Sequence, residues 1–443
     1  MTELISIPQT TTMETRGSDE TPTGRALRWR ISAGPDTGKS GELLSGRAIV
    51  GRAASADIHV LDLTVSQFHV ELDATDAGID VLDLGSHNHT RVNDVEVRAA
   101  RVASGAELRI GESAIVVEVG AAYRVERSKT TAFGTLVGAA PPMREVYAVL
   151  ERLARADAHV VLEGEPGTGK HSAAQGIHDA SRRAAAPFVV LRCSGLPSVL
   201  AASALFGDDS TVGVFAAAKG GTVVLDEVFE LPSDVQRRLA DALGWRKGPG
   251  DVRIISTSTR GLKQLVNAGL LLDELYLGLA QACVRMPALR DRLEDVKPLV
   301  LHFLASIPWH IQAARAITLD ALDAIASRAF PGNVRELRTT VERTAMLAEG
   351  AQITADDLTF ERLVAADRSS SRALLPAGEA PDELEPFKAA KRTVVDEFEK
   401  EYLARLLARA GTNISRAAAL AGLERQSMRD LLKRHGLRGE DGG

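Results

Sequence analysis

Cysteine is almost absent from this 443-residue chain: Cys193 and Cys283 are its only two, in unrelated contexts and without metal-ligand spacing. That argues against a disulfide-stapled scaffold or a zinc site and leaves both as expected buried thiols. Long apolar runs are missing as well, and none approaches the ~20 residues of a membrane span. The N-terminus lacks a charged start followed by an apolar core, so no secretory signal is expected and the protein is expected in the cytoplasm. Nor is there an overall excess of basic charge, the formal net charge being −6. What the chain does have is 45% hydrophobic and 25% charged residues, enough apolar side chains for real cores. Its length suggests about three domains.

The central stretch, residues 159–178, reads HVVLEGEPGTGKHSAAQGIH. The apolar run Val160-Val161-Leu162 predicts a buried parallel strand, followed by the glycine-rich loop Gly164-Glu165-Pro166-Gly167-Thr168-Gly169-Lys170 and a helix. Strand, loop and helix in this order form a phosphate-binding loop. Glycines let backbone N–H groups wrap an anion at the positive end of a helix, and Lys170 would reach the β- and γ-phosphates. His171 stands where the general pattern has a Ser or Thr for magnesium. Downstream, residues 220–227 (GGTVVLDE) predict a second buried strand ending in Asp226 and Glu227. Such a pair suits nucleotide hydrolysis, one carboxylate holding Mg2+ through water and the other orienting the attacking water.

From about residue 133 to 358 the chain resembles the AAA+ domain of the sigma-54-dependent bacterial transcription activators. The resemblance rests on the P-loop, the Asp226–Glu227 strand, ALFG at 204–207, PALRDR at 287–292 and FPGNVREL at 330–337. In that family the residue after the P-loop lysine is usually Glu, which makes His171 a smaller departure. The resemblance implies an α/β P-loop fold with a helical subdomain, and ATP with Mg2+ as cofactors. It implies nucleotide contacts from Gly164, Gly167, Thr168, Gly169, Lys170, His171 and Arg335, with Asp226 and Glu227 as catalytic residues and Asp226 as the metal contact. A fossil ATPase whose loop only packs is the alternative.

Upstream, residues 1–24 are rich in Thr, Ser, Glu and Gly and predict a disordered tail whose threonines are candidate phosphorylation sites. Residues 25–120 then carry short alternating runs (ALRWRIS, RAIVGR, DIHVLD, HVELDA, GIDVLDLG, ELRI, AIVVEV) that predict a β-sandwich. The lure GPDTGKS at 34–40 is too short for a P-loop and reads as a hairpin turn. Gly51-Arg52, Ser66-Gln67-Phe68-His69, Gly85-Ser86-His87-Asn88-His89-Thr90 and Val92-Asn93 follow the order of a forkhead-associated (FHA) domain, and the sandwich resembles that family. The resemblance implies phosphothreonine binding on end loops, for which a guanidinium and short donors are suited. Carried over by motif, Arg52 and Ser66 hold the phosphate, Gln67 and His87 adjoin it, Asn88 binds the peptide backbone, and His69 braces the loops. Where the family has Asn-Gly-Thr, this chain has Asn88-His89-Thr90, and His89 is expected to distort a turn suited to positive φ. A metal site at His87 and His89 lacks further ligands. The alternative is a sandwich that packs on its neighbour without binding phosphate.

Residues 121–133 read as a linker, 134–365 as the AAA+ domain and 366–386 as a second linker rich in Ser, Pro, Gly and acid. Residues 387–443 are predicted all-α. Val394, Phe398, Tyr402 and Leu406 recur at helical spacing, and two short helices meet at Ala421-Gly422-Leu423 as a helix-turn-helix. This end resembles the Fis-type DNA-binding domain that closes many sigma-54 activators. Its expected core is Ala417, Ala418, Leu420, Leu423, Met428, Leu431 and Leu432. Basic residues cluster here despite the acidic whole, as phosphate neutralisation requires. Arg425, Gln426, Ser427 and Arg429 are expected to face the groove, with Lys433 and Arg434 among the DNA contacts. A helical dimerisation hairpin is the alternative.

Against the sigma-54 activators three features differ. Only DDSTVGVFAAAK separates Gly207 from Gly220, so the family's GAFTGA loop has no counterpart. Leu272 and Gly278 stand at the two arginine-finger positions, and Thr259 replaces the sensor asparagine; Arg335 is kept. The expected protein is therefore a multidomain transcription regulator: FHA-like sandwich, degenerate AAA+ domain, helix-turn-helix. Its expected partners are double-stranded DNA and a phosphothreonine protein or its own phosphorylated tail, with a homo-oligomer and RNA polymerase contact implied by the resemblance. An ATP-hydrolysing sigma-54 activator is the rival, and a phosphopeptide scaffold with a vestigial DNA domain a third reading.

Overall fold

Runs in which apolar and polar residues alternate fold as strands with one dry face, and two such sheets bury their dry faces against each other. The computed structural model describes residues 23–244, 251–308, 311, 313–348, 350–358, 403, 414–421 and 425–434. Its first eleven strands are β1 (Thr23–Ala33), β2 (Ser40–Leu43), β3 (Arg47–Gly51), β4 (Ile58–His59), β5 (Val70–Thr75), β6 (Gly78–Asp83), β7 (Thr90–Val92), β8 (Val95–Val97), β9 (Ala99–Val102), β10 (Ala106–Ile110) and β11 (Ser113–Arg124). They form an FHA-like sandwich with sheet orders β2-β1-β11-β10-β7-β8 and β4-β3-β5-β6-β9. Leu27, Ile31, Val50, Leu72, Ile79, Leu108 and Ile115 fill the space between the sheets. The segment 34–40 is the expected hairpin turn, Gly38 N donating to Ile31 O at 2.9 Å. Strands β2, β7, β8 and β9 escaped the sequence pattern because each is four residues or shorter, and β2 and β8 also present almost no buried face. The turn between β7 and β8 places Asn93 and Asp94 at positive φ, as a tight hairpin requires.

The hairpin β12 (Ala132–Phe133) and β13 (Leu136–Val137) leads into the α/β domain. Its strands are β14 (Val160–Glu163), β15 (Phe188–Arg192), β16 (Thr222–Asp226), β17 (Arg253–Ser258) and β18 (Ala282–Arg285), in the all-parallel order β15-β16-β17-β14-β18. Central parallel strands are covered on both faces, which explains the unbroken Val160-Val161-Leu162 run. The helices are α1 (Pro141–Arg155), α2 (Lys170–Asp179), α3 (Ser198–Phe206), α4 (Val214–Ala217), α5 (Ser233–Gly244), α6 (Leu262–Asn267) and α7 (Asp273–Leu279). A helical subdomain follows: α8 (Val296–Ser306), α9 (Leu319–Ala326) and α10 (Asn333–Leu347), around Leu299, Phe303, Leu322, Leu337 and Val341.

The sandwich is packed on the α/β domain. Ile49, Phe68 and Leu84 share one hydrophobic cluster with Val161, Leu275 and Tyr276. The buried Glu71 of β5 receives Arg285 Nη2 of β18 at 3.0 Å. Cys193 is buried as expected, but Cys283 is exposed. Cys283 lies on the sheet's edge strand and lines a cleft of about 630 Å³ between the two domains, which corrects the expectation for that residue.

Residues 359–443 form a separate unit. Its described helices are α11 (Ile414–Ala421) and α12 (Arg425–Arg434), with Leu403, Ile414, Ala417, Ala418, Met428 and Leu432 as core. Residues 1–22 of the expected tail, the linker at 366–386, the positions Val394, Phe398, Tyr402 and Leu406, and the side chains of Leu420, Leu423 and Leu431 lie outside the described residues. Among the described residues no helix is long and apolar enough to cross a membrane.

Candidate functional site

The phosphate-binding loop leaves β14 at Glu163 and enters α2 at Lys170. Gly167 has φ 80°, and a Cβ there would lie 2.2 Å from Gly332 O of the helical subdomain, so conformation and close approach both demand glycine. Lys170 Nζ donates to Gly164 O at 2.6 Å and Glu165 O at 3.1 Å, which parks the ammonium on the loop's own carbonyls. Burial pulls its pKa down first; Glu227 and Asp226 oppose that shift and Arg335 reinforces it. These four groups therefore share one electrostatic neighbourhood. Arg335 is exposed at the start of α10, its Cβ 3.0 Å from where a Cβ on Gly167 would lie. Thr168 is buried, its Oγ1 donating to Glu165 O. His171 is exposed in the first turn of α2 with its ring 6.4 Å from Phe188.

Asp226 ends β16, and its Oδ1 accepts Thr257 Oγ1 at 2.6 Å. Glu227 follows in the left-handed region, and its Oε2 accepts both Thr259 N (2.9 Å) and Thr259 Oγ1 (3.0 Å). Thr259 thus orients the glutamate directly. Among described residues no cluster of three or more His, Cys, Asp or Glu could hold a metal by itself. Asp226 offers one carboxylate, so a magnesium ion fits here only with nucleotide phosphates completing its shell.

Sequence reasoning missed two residues. Asn333, at φ 55°, laces the helical subdomain to the loop: Nδ2 donates to Glu165 Oε2 and Pro166 O (both 3.1 Å), and Oδ1 accepts Leu289 N at 2.7 Å. Its place in FPGNVREL was the available signal. Glu165 also takes a two-pronged ion pair from Arg290 (2.8 and 2.6 Å), and Arg290 first, then Asn333, hold its carboxyl down to about 2. The other missed residue is Arg192, whose Nε lies 3.9 Å from Asp226 Oδ2. A charged residue closing a strand otherwise rich in apolar residues was its only signal.

The two finger positions are partly buried. Leu272 N is held by Gln236 Oε1 at 2.9 Å, and a Cβ on Gly278 would meet Leu243 of α5 at 3.1 Å. Arg260 lies over the Phe229 ring, and Arg285 is paired with Glu71. Between Gly207 and Gly220 the backbones of Gly207 and Gly213 touch, so the connection is a tight turn closed by Asp208 on Ser210 and Thr211.

At the loop end of the sandwich, Arg52 is exposed with Nε donating to Val65 O at 3.3 Å. Ser66 Oγ accepts His87 N at 3.0 Å, and Asn88 Nδ2 donates to Thr64 O at 2.7 Å. His69 is buried; its Nδ1 accepts Ser66 N and its Nε2 faces His89 O, each at 3.2 Å, a pairing that fits the Nε2–H tautomer. Arg52, Ser66, His87 and Asn88 are brought together, and Gln67 turns its Oε1 inward without a partner. His89 adopts φ 54°, the conformation a glycine would supply, and β7 begins at the next residue, Thr90. On α12, Gln426, Lys433 and Arg434 are exposed and Arg429 is half-buried, while the side chains of Arg425 and Ser427 lie outside the described residues.

Comparison with known proteins matches residues 136–285 to the sigma-54 interaction domain and residues 290–374 to the AAA+ ATPase lid domain. Residues 30–119 match a family described as the inner membrane component of T3SS, cytoplasmic domain. The DNA-binding transcriptional regulator NtrC of Rhizobium meliloti is 33% identical over 340 residues, covering 68% of this chain and 70% of that protein. A crystal structure of NtrX from Brucella abortus in complex with ATP is 31% identical, with TM-score 0.49, covering 70% and 71%. A structure from a study of phosphothreonine-dependent FHA domain interactions is 30% identical, with TM-score 0.20, covering 21% of this chain and 95% of that one.

Proposed function

The chain belongs to the sigma-54-dependent transcription regulators, and from that premise we propose that it is a DNA-binding regulator gated by phosphothreonine, whose AAA+ domain binds ATP but hydrolyses it weakly or not at all. The domain limits proposed are a tail to 24, the FHA-like sandwich at 25–120, a linker at 121–133, the AAA+ domain at 134–365, a linker at 366–386 and the DNA-binding domain from 387. The observation that carries the reading is the contrast within one domain. Lys170, Asp226, Glu227 and Arg335 are gathered at the loop, while the finger positions Leu272 and Gly278 are packed against Gln236 and Leu243.

Gly164, Gly167, Thr168 and Gly169 supply backbone N–H groups to the phosphates, and Lys170 leaves its carbonyls for the β- and γ-phosphates. Asp226 would hold Mg2+ together with the bound nucleotide, where the ion would offset phosphate charge. Transfer of the γ-phosphoryl group needs a further cation at the developing charge, normally an arginine from a neighbouring subunit. Leu272 and Gly278 cannot provide it. The closed turn at 207–213 supports the lack of a GAFTGA loop, and with it the lack of polymerase remodelling. At the other end, Arg52 and Ser66 bind phosphate, His87 adjoins it, and Asn88 binds the peptide backbone. The basic α12 then delivers the regulator to double-stranded DNA. An ATP-hydrolysing sigma-54 activator is the alternative, favoured by the intact Asp226–Glu227 pair with Glu227 oriented by Thr259. Measuring ATP binding and ATP turnover on one preparation separates the two: tight binding with negligible turnover supports the first, and rapid turnover the second.

A further inference from the structure

We propose that Arg192, supplied by the same subunit, binds the γ-phosphate of ground-state ATP and lets the domain tell ATP from ADP without a neighbour's arginine, a contact that tightens binding without taking over the finger's part in transfer. The proposal rests on the nucleotide-binding reading above. Arg192 closes β15 as Asp226 closes β16, and the parallel register sets the two residues opposite each other. Guanidinium and carboxylate therefore emerge side by side at the carboxyl end of the sheet, the edge at which open α/β sheets bind ligands.

The pair between them is loose. At 3.9 Å Arg192 Nε is beyond hydrogen-bond distance of Asp226 Oδ2, and the arginine side chain is 81% exposed. An exposed ion pair of this kind contributes little to folding, so Arg192 can leave Asp226 for a stronger acceptor at small cost. A γ-phosphate is such an acceptor, because its oxygens match the planar fork of a guanidinium. Three neighbouring arginines are committed elsewhere, and Arg335 approaches the loop from the other side, beside Gly167. Arg290 is locked to Glu165, Arg285 to Glu71, and the buried Arg292 donates to Thr168 O. ADP ends at the β-phosphate, which the loop amides and Lys170 already meet. It has nothing for Arg192 to hold.

The test is calorimetric titration of the full-length chain with ATP and with ADP, each in Mg2+ and in EDTA. Arg192→Ala is expected to weaken ATP about 10- to 100-fold, one or two charge-assisted bonds, and to leave ADP unchanged. Wild-type chain should retain ATP binding in EDTA better than the variant, since a fixed cation replaces part of the metal's charge. Arg192→Lys should recover part of the ATP preference, and because residue 192 is exposed, melting temperatures should not move. Equal loss of ATP and ADP in Arg192→Ala, or no loss at all, overturns the proposal. A wild-type chain that binds neither nucleotide overturns the nucleotide reading itself and this inference with it.

Discussion

Asn267 of α6 holds both backbone polar groups of Phe68: its Oδ1 accepts Phe68 N at 3.3 Å and its Nδ2 donates to Phe68 O at 2.5 Å. The same Nδ2 reaches Leu84 O at 2.9 Å. Phe68 also sets its ring edge-on to Tyr276 of α7, with centroids 5.2 Å apart. The loop that carries Ser66 and Gln67 is therefore fastened at Phe68 to α6 and to α7, the helix that Leu272 precedes and that contains Gly278.

Asn267→Ala removes three hydrogen bonds at once and leaves Phe68 N–H and two carbonyls unmatched in a buried seam. A loss of about 1–3 kcal/mol is expected, the cost of unpaired buried polar groups. Phe68→Ala should cost more, about 3–5 kcal/mol, because it empties a packed ring site. Urea unfolding of the full chain checks both, with the midpoint expected to fall further in the Phe68 variant than in the Asn267 variant. Unchanged midpoints in both variants would mean that the seam does not hold in solution.

Arg52 is the fixed cation among the proposed phosphate contacts, and its bond from Nε to Val65 O leaves most of its donors for a ligand. Two charge-assisted bonds of ~1.5–3 kcal/mol each make Arg52→Ala at least ~100-fold weaker for a phosphothreonine peptide. Paired titrations with phosphorylated and unphosphorylated peptides measure the difference. A wild-type protein that binds both members of each pair alike removes the gating step.

The glycine-rich loop was legible in the sequence because its geometry is local: glycine spacing, an apolar strand before it and a helix after it fix the loop within a dozen residues. The sandwich was legible from alternation, except in strands such as β2 that have no buried face to show. Asn333 and Arg192 were not legible, since their roles depend on which elements the fold sets beside the loop and beside Asp226. The support that His89 receives was hidden for a related reason. Asn88-His89-Thr90 departs from the glycine pattern, yet His69 Nε2 on His89 O helps hold the left-handed turn that the side chain alone disfavours.

Histidine burial fixes a pH dependence. His69, His159 and His178 all have pKa values below the ordinary 6.5, with desolvation the leading cause in each. The unfolded chain then takes up protons before the folded one does, so their contribution to stability is complete above pH 6.5 and is lost as pH falls through the folded values. Denaturation midpoints should decline between pH 7 and pH 5, before the carboxylates titrate. His69→Gln should flatten part of that slope. Midpoints that hold steady or rise on acidification would contradict the assignment.

Arg425 and Arg429 are four residues apart on α12 and so share a face. A bidentate guanine contact is worth ~1–3 kcal/mol per base pair, so Ala at either position should relax specificity. Lys433→Ala should instead weaken all sequences alike and flatten the salt dependence. Competition binding of the full chain on specific and random duplexes at several salt concentrations reads both effects. DNA binding that is undetectable or independent of salt would take this helix out of the mechanism.

The last expectation concerns turnover, where binding and hydrolysis should come apart. Lys170 is the cation nearest the loop carbonyls, and Lys170→Ala should abolish measurable ATP binding. Glu227 is held by Thr259 in a pose able to orient water, so a slow residual rate is compatible with the site. A trans arginine normally contributes ~10³–10⁵ in rate, or ~4–7 kcal/mol of barrier. Leu272 brings an aliphatic side chain to one finger position. Gly278 brings no side chain at all, and a side chain added there would press on Leu243 of α5. Glu227→Gln should consequently change the turnover of the wild-type chain hardly at all, there being little to lose. Brisk ATPase activity that Glu227→Gln eliminates would restore the hydrolysing activator, and it would require a cation that neither finger position supplies.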